Sequence, residues 1–499
     1  MEFKIGNHRF TGMDAFLVIV FIVWILITYQ IFWADTGDEK SKSQANKSGK
    51  TEIVFWHAMG GPLGEAMDNL IDEYNKDPNS KCYVKTINMG SYDTLQKKLL
   101  ASLIADEAPD IAQCFETLTK KFIKHNKIVC IEDLIEADIK DGKTNEDIRK
   151  DIIPALRINN TFKDETNKPR LYSFPFNKSV QVLYYNKTMF NEVGLDPEKP
   201  PRTFNELKEY CQKIVDHYKN DGKERKLHIY GYGCAGPNNW SYLNRIKANK
   251  GYIVKRDADG LLKCGFNEPA SIESLKFLQD MLKDTVPETE TDPKKKGYPL
   301  AKEGRGFDHQ NDFTAGLCGI IESSVTSKKF MNINDFELGM APLPGIEDPS
   351  QPDGVFRSTI LSGTNICIFK NVDKKKIEGA WDFIKWFTNT ENGVKWSLNT
   401  TYMPVRNSSV NSASMKEAIE KDPNLNAIYG YLDNLAFEPR ITAWFEIRDL
   451  ISDYLERFTL EHKEAESYCQ EMERDINGML KHVTDKDDNE ELGNVDQIK

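Results

Sequence analysis

The chain has no CxxC pair, and no histidine clusters with its nine cysteines. The sequence therefore gives no ground for a tetrahedral zinc site. An odd number of cysteines leaves at least one thiol free or bridged to another chain. The expectation is that most are buried and unpaired. There is no Walker A loop, no HExxH, no GxSxG and no EF-hand loop. The chemistry each of those motifs supports has no anchor here. No basic arm or stripe is present either. The 66 lysines and arginines are spread along the chain against 77 acidic residues, giving a formal net charge of −11. Such a balance disfavours nucleic acid or anionic lipid as a bulk partner, but leaves room for one anion in a local basic pocket. The two KKK runs, Lys294 to Lys296 and Lys374 to Lys376, read as solvated faces. No internal repeat is visible.

Long apolar runs are nearly absent as well, with one exception. Ala15 to Trp33 is close to the roughly 20 residues that a helix needs to cross hydrocarbon. Lys4 and Arg9 precede it, and Asp35, Asp38 and Glu39 follow. This flank asymmetry points to a cytoplasmic segment over 1–14, a transmembrane anchor over 15–33 and an extracytoplasmic remainder. A cleaved signal peptide is the rival reading. It is disfavoured because the apolar core is long and no A-x-A pattern follows. Residues 34–50 read as a flexible linker and 484–499 as a disordered acidic tail.

At 499 residues the chain is long enough for two or three domains. Ile53 to Trp56 is a short apolar strand followed by a Gly-rich turn. Leu63, Met67, Leu70, Ile71 and Tyr74 then recur at helical spacing. Tyr83 to Ile87 is a second strand, Leu95 to Ile104 a second helix and Ala108 to Ala112 a third strand. That order begins a doubly wound α/β unit on a parallel sheet. Tyr172 to Phe176 and Val180 to Tyr185 are extended, interrupted at Asn177-Lys178. Thr203 to Glu206 matches a capping box. Thr359 to Phe369 is one apolar run. Helices are expected over Ile441 to Phe458 and Glu464 to Leu480.

Catalytic signals are weak. Gly231 to Gly236 matches GxGxxG after a strand, but Pro237-Asn-Asn follows where a dinucleotide site needs a helix, and no acidic partner strand follows. His57 at a strand end reads as structural. Glu116 and Glu322 follow short strands and would be the carboxylates of a hydrolase, although nothing in their spacing supports it.

A series of ordered motifs carries more. These are FWHAMGG at Phe55 to Gly61, GSYD at Gly90 to Asp93, APDI at Ala108 to Ile111, PFNKS at Pro175 to Ser179 and VLYYNK at Val182 to Lys187. GLDP at Gly194 to Pro197, YMPV at Tyr402 to Val405 and EIR at Glu446 to Arg448 complete it. Over roughly Thr51 to Leu480 the chain resembles the extracellular solute-binding family of ABC importers, and within it the glycerol-phosphate branch. The resemblance implies an α/β, periplasmic-binding-protein-like type II fold, with two doubly wound lobes, a hinge and a ligand cleft. Lobe one would hold 51–176 and 363–401, and lobe two 178–361 and 403–480, with crossings near Asn177, Ser362 and Tyr402. It further implies ligand contacts at Tyr92, Glu116, Ser179, Ser324, Gly363, Tyr402 and Arg448, with Trp56, His57, Phe204 and Trp240 as additional cleft candidates. The family's acidic residue after FWH is Gly60 here, and a cleft tryptophan is replaced by Phe204.

The expected function is that of an extracytoplasmic binding component, not an enzyme. It would take glycerol-3-phosphate or a glycerophosphodiester to a membrane permease, without metal, cofactor or nucleic acid. Sugar or oligosaccharide binding is the alternative within the class.

Overall fold

The computed structural model describes residues 49–483, apart from 106, 145, 221–227, 237, 284–298, 371–372, 430–433 and 462, together with 3–5 and 8–10. Phe3–Ile5 and His8–Phe10 pair as an antiparallel hairpin. The apolar run 15–33, the linker up to 48 and the tail 484–499 lie outside the described residues. Among the described residues no helix is long and apolar enough to cross a membrane.

Two five-stranded sheets organise the rest into two mixed α/β lobes. The ten strands are β1 (Thr51–His57), β2 (Cys82–Asn88), β3 (Ile111–Cys114), β4 (Phe174–Ser179), β5 (Gln181–Asn186), β6 (Tyr230–Ala235), β7 (Ala301–Gly304), β8 (Cys318–Ser324), β9 (Leu338–Pro342) and β10 (Ser362–Ile368). Lobe one carries the order β2-β1-β3-β10-β4, and lobe two the order β7-β6-β8-β5-β9. In lobe one β1 runs parallel to β2 and β3, while β10 is antiparallel to β3 and β4. In lobe two β6 runs parallel to β7 and β8, while β5 is antiparallel to β8 and β9. The expected all-parallel sheets are therefore mixed. A strand that enters directly from the other lobe, without a crossover helix, is free to run antiparallel.

Local sequence explains the elements. In the helix Gly61–Lys76, Pro62 starts the first turn, and Leu63, Met67, Leu70, Ile71 and Tyr74 bury one face. β4 and β5 are buried at every position, as strands covered on both faces must be. Beyond Tyr230–Ala235 a helix, Asn239–Ala248, does open, because the Asn238 side chain accepts from the amides of Trp240 and Ser241. This corrects the expectation that no helix opens after Gly236. The glycines before it serve packing, since a Cβ on Gly231 would lie 2.4 Å from the Cys211 Cα. All nine cysteines are buried and unpaired.

The chain passes between the lobes at Val180, at Leu361 and, later than the expected Tyr402, after Val405. β4 continues through Asn177 and Lys178 to Ser179, so only Val180 separates the two sheets. The apolar run 359–369 is split. Thr359 and Ile360 pair with Leu435 and Ala436, and the strand of lobe one starts at Ser362. After Tyr402 the chain stays on lobe one, where the Ile153 amide donates to the Val405 carbonyl at 3.1 Å and Asp151 caps Ser408 at 2.8 Å. It reaches lobe two by Asn424, whose side chain accepts from the Met340 amide.

His57 ends β1 with 4% exposure, and its Nδ1 accepts from the Met59 amide at 3.1 Å. Burial lowers its pKa from 6.5 to about 4. As pH falls from 6.5 towards 4 the unfolded chain takes up a proton that the folded chain refuses, so stability falls across that window. The loss is about 3 kcal/mol at about 1.4 kcal/mol per pKa unit. Thermal melts of His57→Asn should therefore decline less steeply than wild type between pH 6.5 and 4. Equal slopes would show that His57 does not contribute.

Candidate ligand-binding cleft

Where the two lobes face each other, a cavity of about 580 Å³ is lined by Ser91, Tyr92, Asp93 and Phe115 from lobe one. Ser179, Ser362 and Gly363 line it from the crossings, Tyr402 from the segment of lobe one beside them, and Asn239, Trp240, Ser324, Phe445, Arg448 and Asp449 from lobe two. Four of these stretches are helix beginnings: Tyr92–Ala105, the Phe115 cap of Glu116–Lys124, Asn239–Ala248 and Trp444–Glu461. Helix N-termini carry partial positive charge and unpaired amides.

Ser179 and Ser324 face each other from the two sheets, their hydroxyls 2.8 Å apart, and Ser324 also bonds Thr326 at 2.8 Å. The Tyr92 hydroxyl accepts from the Asn177 amide at 2.7 Å, and the Tyr402 hydroxyl lies in the same hydrogen-bonded group. Tyr402 is stacked on Trp396 with ring centroids 5.7 Å apart. Gly363 has φ +88°, and a Cβ there would strike the Asn177 carbonyl oxygen at 1.8 Å. Only glycine lets the second crossing run this close to the first. Trp240 is fixed by its indole N–H, which donates to the Ile360 carbonyl at 3.0 Å.

Arg448 lies on the first turns of Trp444–Glu461. Its guanidinium is 3.4 Å from the Glu438 carboxylate, and Glu438 is itself held by the Trp444 indole at 2.6 Å. Asp449 also lines the cavity. Partial burial, then the Asp93 charge across the cleft, raises its pKa.

Glu116 stands just behind the lining. Its Oε1 accepts from Lys178 Nζ at 2.7 Å and from Asn365 Nδ2 at 2.9 Å. Lys178 has no exposed surface, and its ammonium also bonds Asn159 at 3.1 Å. Burial lowers the Lys178 pKa while Glu116 opposes that shift.

The structure thus brings Tyr92, Ser179, Ser324, Gly363, Tyr402, Arg448 and Trp240 to one cavity, with Glu116 adjacent. Trp56 packs against the core of Leu95, Leu99 and Phe122 instead, and His57 is buried. Phe204 is not part of this lining. It borders a separate hollow of lobe two with Lys208 and Asn249, its ring 5.2 Å from Phe277. Asp93, Asn239, Phe445 and Asp449 were not singled out in sequence. Each sits beside a residue that was, so motif neighbours were the available signal. Lys178 is inside PFNKS, yet a lysine in a strand gives no sign that it is buried.

Two lobes with a ligand-sized cleft at their junction define a solute-binding receptor. The model of the bacterial extracellular solute-binding protein family matches residues 69–427, and the chain belongs to that family. It is a substrate-binding component of an ABC importer, extracytoplasmic and non-enzymatic. Its relatives include the sn-glycerol-3-phosphate-binding periplasmic protein UgpB of Pectobacterium atrosepticum, 26% identical over 386 residues, 76% of this chain and 79% of the relative. UgpB of Escherichia coli is 26% identical over 389 residues, 76% and 80% of the two chains. Among solved structures, UgpB from Mycobacterium tuberculosis in complex with glycerophosphocholine superposes with a TM-score of 0.68 at 21% identity, covering 86% of this chain and 98% of that one. The cyclic alpha-maltosyl-1,6-maltose binding protein from Arthrobacter globiformis gives a TM-score of 0.66 at 21% identity, covering 87% and 99%.

Removing Lys178 leaves Glu116 with one donor in a largely desolvated place. Lys178→Met should cost on the order of 3 kcal/mol, and adding Glu116→Gln should recover part of it. Urea unfolding of both variants measures this. A double variant no more stable than the single one would show that the pair is not coupled.

Proposed function

We propose that the cleft captures glycerol-3-phosphate or a glycerophosphodiester and delivers it to the permease of the importer. The observation that carries this reading is the guanidinium of Arg448 in a cavity rimmed by helix N-termini, with the Ser179–Ser324 hydroxyl pair beside it. A planar fork and clustered hydroxyls suit phosphate oxygens, and helix N-termini favour anions. Glu116 Oε1 is taken by Lys178 and Asn365, which leaves Oε2 for the glycerol hydroxyls. Tyr92 and Tyr402 pack the three-carbon stem, their hydroxyls held in place by Asn177. The names of the UgpB relatives agree with this chemistry. The apolar run 15–33 would tether the receptor beside its permease.

Sugar binding is the second reading. It is favoured by the Trp240, Tyr92 and Tyr402 rings at the same cavity, aromatic faces being suited to sugar rings, and by the maltosaccharide binders among the solved relatives.

Calorimetry with glycerol-3-phosphate, glycerophosphocholine, maltose and inorganic phosphate separates the two. Either glycerol phosphate should bind, and Arg448→Ala should abolish that heat. Since Arg448 reaches Glu438 and Asn239 only at 3.4 Å, the same change should move the melting temperature by no more than about 2 °C. Strong maltose binding with no heat from either phosphate would overturn the assignment.

A further inference from the structure

The cleft does not end at the Arg448 cavity. A second chamber of about 540 Å³ opens from it, and the two share Tyr92, Trp240, Ser324, Thr326 and Tyr402 as common walls. Each chamber falls in the range that holds a drug-sized ligand, roughly 300–1,000 Å³. A three-carbon phosphate occupies only part of the first.

The second chamber differs in chemistry. Two aromatic rings border it, Phe307 at 72% and Phe330 at 52% exposure, although large apolar side chains are otherwise mostly buried. Its floor is polar and buried. His309 is 5% exposed, Gln310 8% and Ser323 5%. Gln310 Nε2 donates to Ser323 Oγ at 3.0 Å, and His309 Nε2 lies 3.4 Å from the same hydroxyl. His309 Nδ1, which the Gly306 backbone approaches, completes no hydrogen bond. Glu322 is the one acidic residue among the described lining. It is spent on Arg245 at 3.0 Å, both side chains 6% exposed. The chamber therefore offers ring faces and neutral hydrogen-bonding groups, and no net charge for a cation.

The first chamber argues in the same direction. Arg448 is already shared with Glu438, and Asp93 and Asp449 line the same space. A phosphomonoester carries about −1.5 to −2 at neutral pH, whereas a diester carries a single negative charge. One partly committed guanidinium between two carboxylates suits the monoanion better.

Resting on the phosphate reading above, we infer that the ligand is a glycerophosphodiester whose second alcohol is a neutral, hydroxyl-rich ring. The phosphate sits at Arg448, and the ring lies in the second chamber against Phe307, Phe330 and Trp240, with its hydroxyls on His309 and Gln310.

Calorimetry on the whole chain with glycerophosphoinositol, glycerophosphocholine and glycerol-3-phosphate tests this. Glycerophosphoinositol should bind about tenfold tighter than either of the others. Phe330→Ser changes an exposed side chain and should keep the fold. It should lose most of that tenfold advantage while leaving glycerol-3-phosphate within about twofold, and His309→Leu should do the same. Glycerophosphocholine binding more tightly than glycerophosphoinositol would show that the chamber takes a cation and overturn the inference. Equal affinity for diester and monoester, or a uniform loss in the variants, would also overturn it while leaving the phosphate reading intact. Silence from all three ligands would overturn that reading itself.

Discussion

The structure depends on a constraint at its waist: three stretches of chain have to pass between two lobes in a space with little water. Lys178 lies where they meet. Its backbone pairs with Gly363 of the second stretch, and its carbonyl accepts from the Met403 amide, in the segment that leads to the third. Its side chain, fully buried, turns into lobe one and ends on Glu116 and Asn159. A buried ammonium is tolerable only with such partners. The ion pair therefore ties the hinge to the carboxylate standing behind the cleft. Asn177, one residue earlier, does the corresponding work with neutral groups. It donates to Tyr92 and accepts from the Thr364 amide at 3.1 Å. Relative motion of the lobes and the geometry of the ligand groups are thus not independent.

The cleft gathers groups of opposite tendency. Helix beginnings and Arg448 attract an anion, and Asp93 and Asp449 limit how much negative charge it can carry. The serine pair spans the two sheets, so a ligand replacing their mutual 2.8 Å bond would touch both lobes at once. That is the requirement for a receptor whose closure depends on what it holds: a ligand shifts the lobes only through contacts that differ between states.

Much of the fold is legible in sequence, because it rests on local periodicity. Leu63 to Tyr74 and the buried run from Val182 to Tyr185 read directly as helix and strand. The crossings are less legible. Asn177-Lys178 has the composition of a break, yet both residues are in a strand with no exposed surface, their polarity absorbed by partners more than 15 residues away in sequence. The split of 359–369 between lobes is invisible for a related reason, since both halves are apolar and only tertiary pairing separates them. The family resemblance brought attention to Tyr92, Ser179, Ser324, Gly363, Tyr402 and Arg448, which share the cavity. It also pointed to Phe204, which lines a separate hollow of lobe two, and it passed over His309, Phe307 and Phe330, which belong to no motif and acquire meaning only from the chamber they line.

The most direct measurement is a crystal structure of the protein with a bound glycerophosphodiester. The phosphate should have its oxygens about 2.7–2.9 Å from the Arg448 guanidinium, with Ser179 and Ser324 beside it and the lobes closed over it. A ligand seated elsewhere, or a phosphate that leaves Arg448 on Glu438 alone, would contradict it.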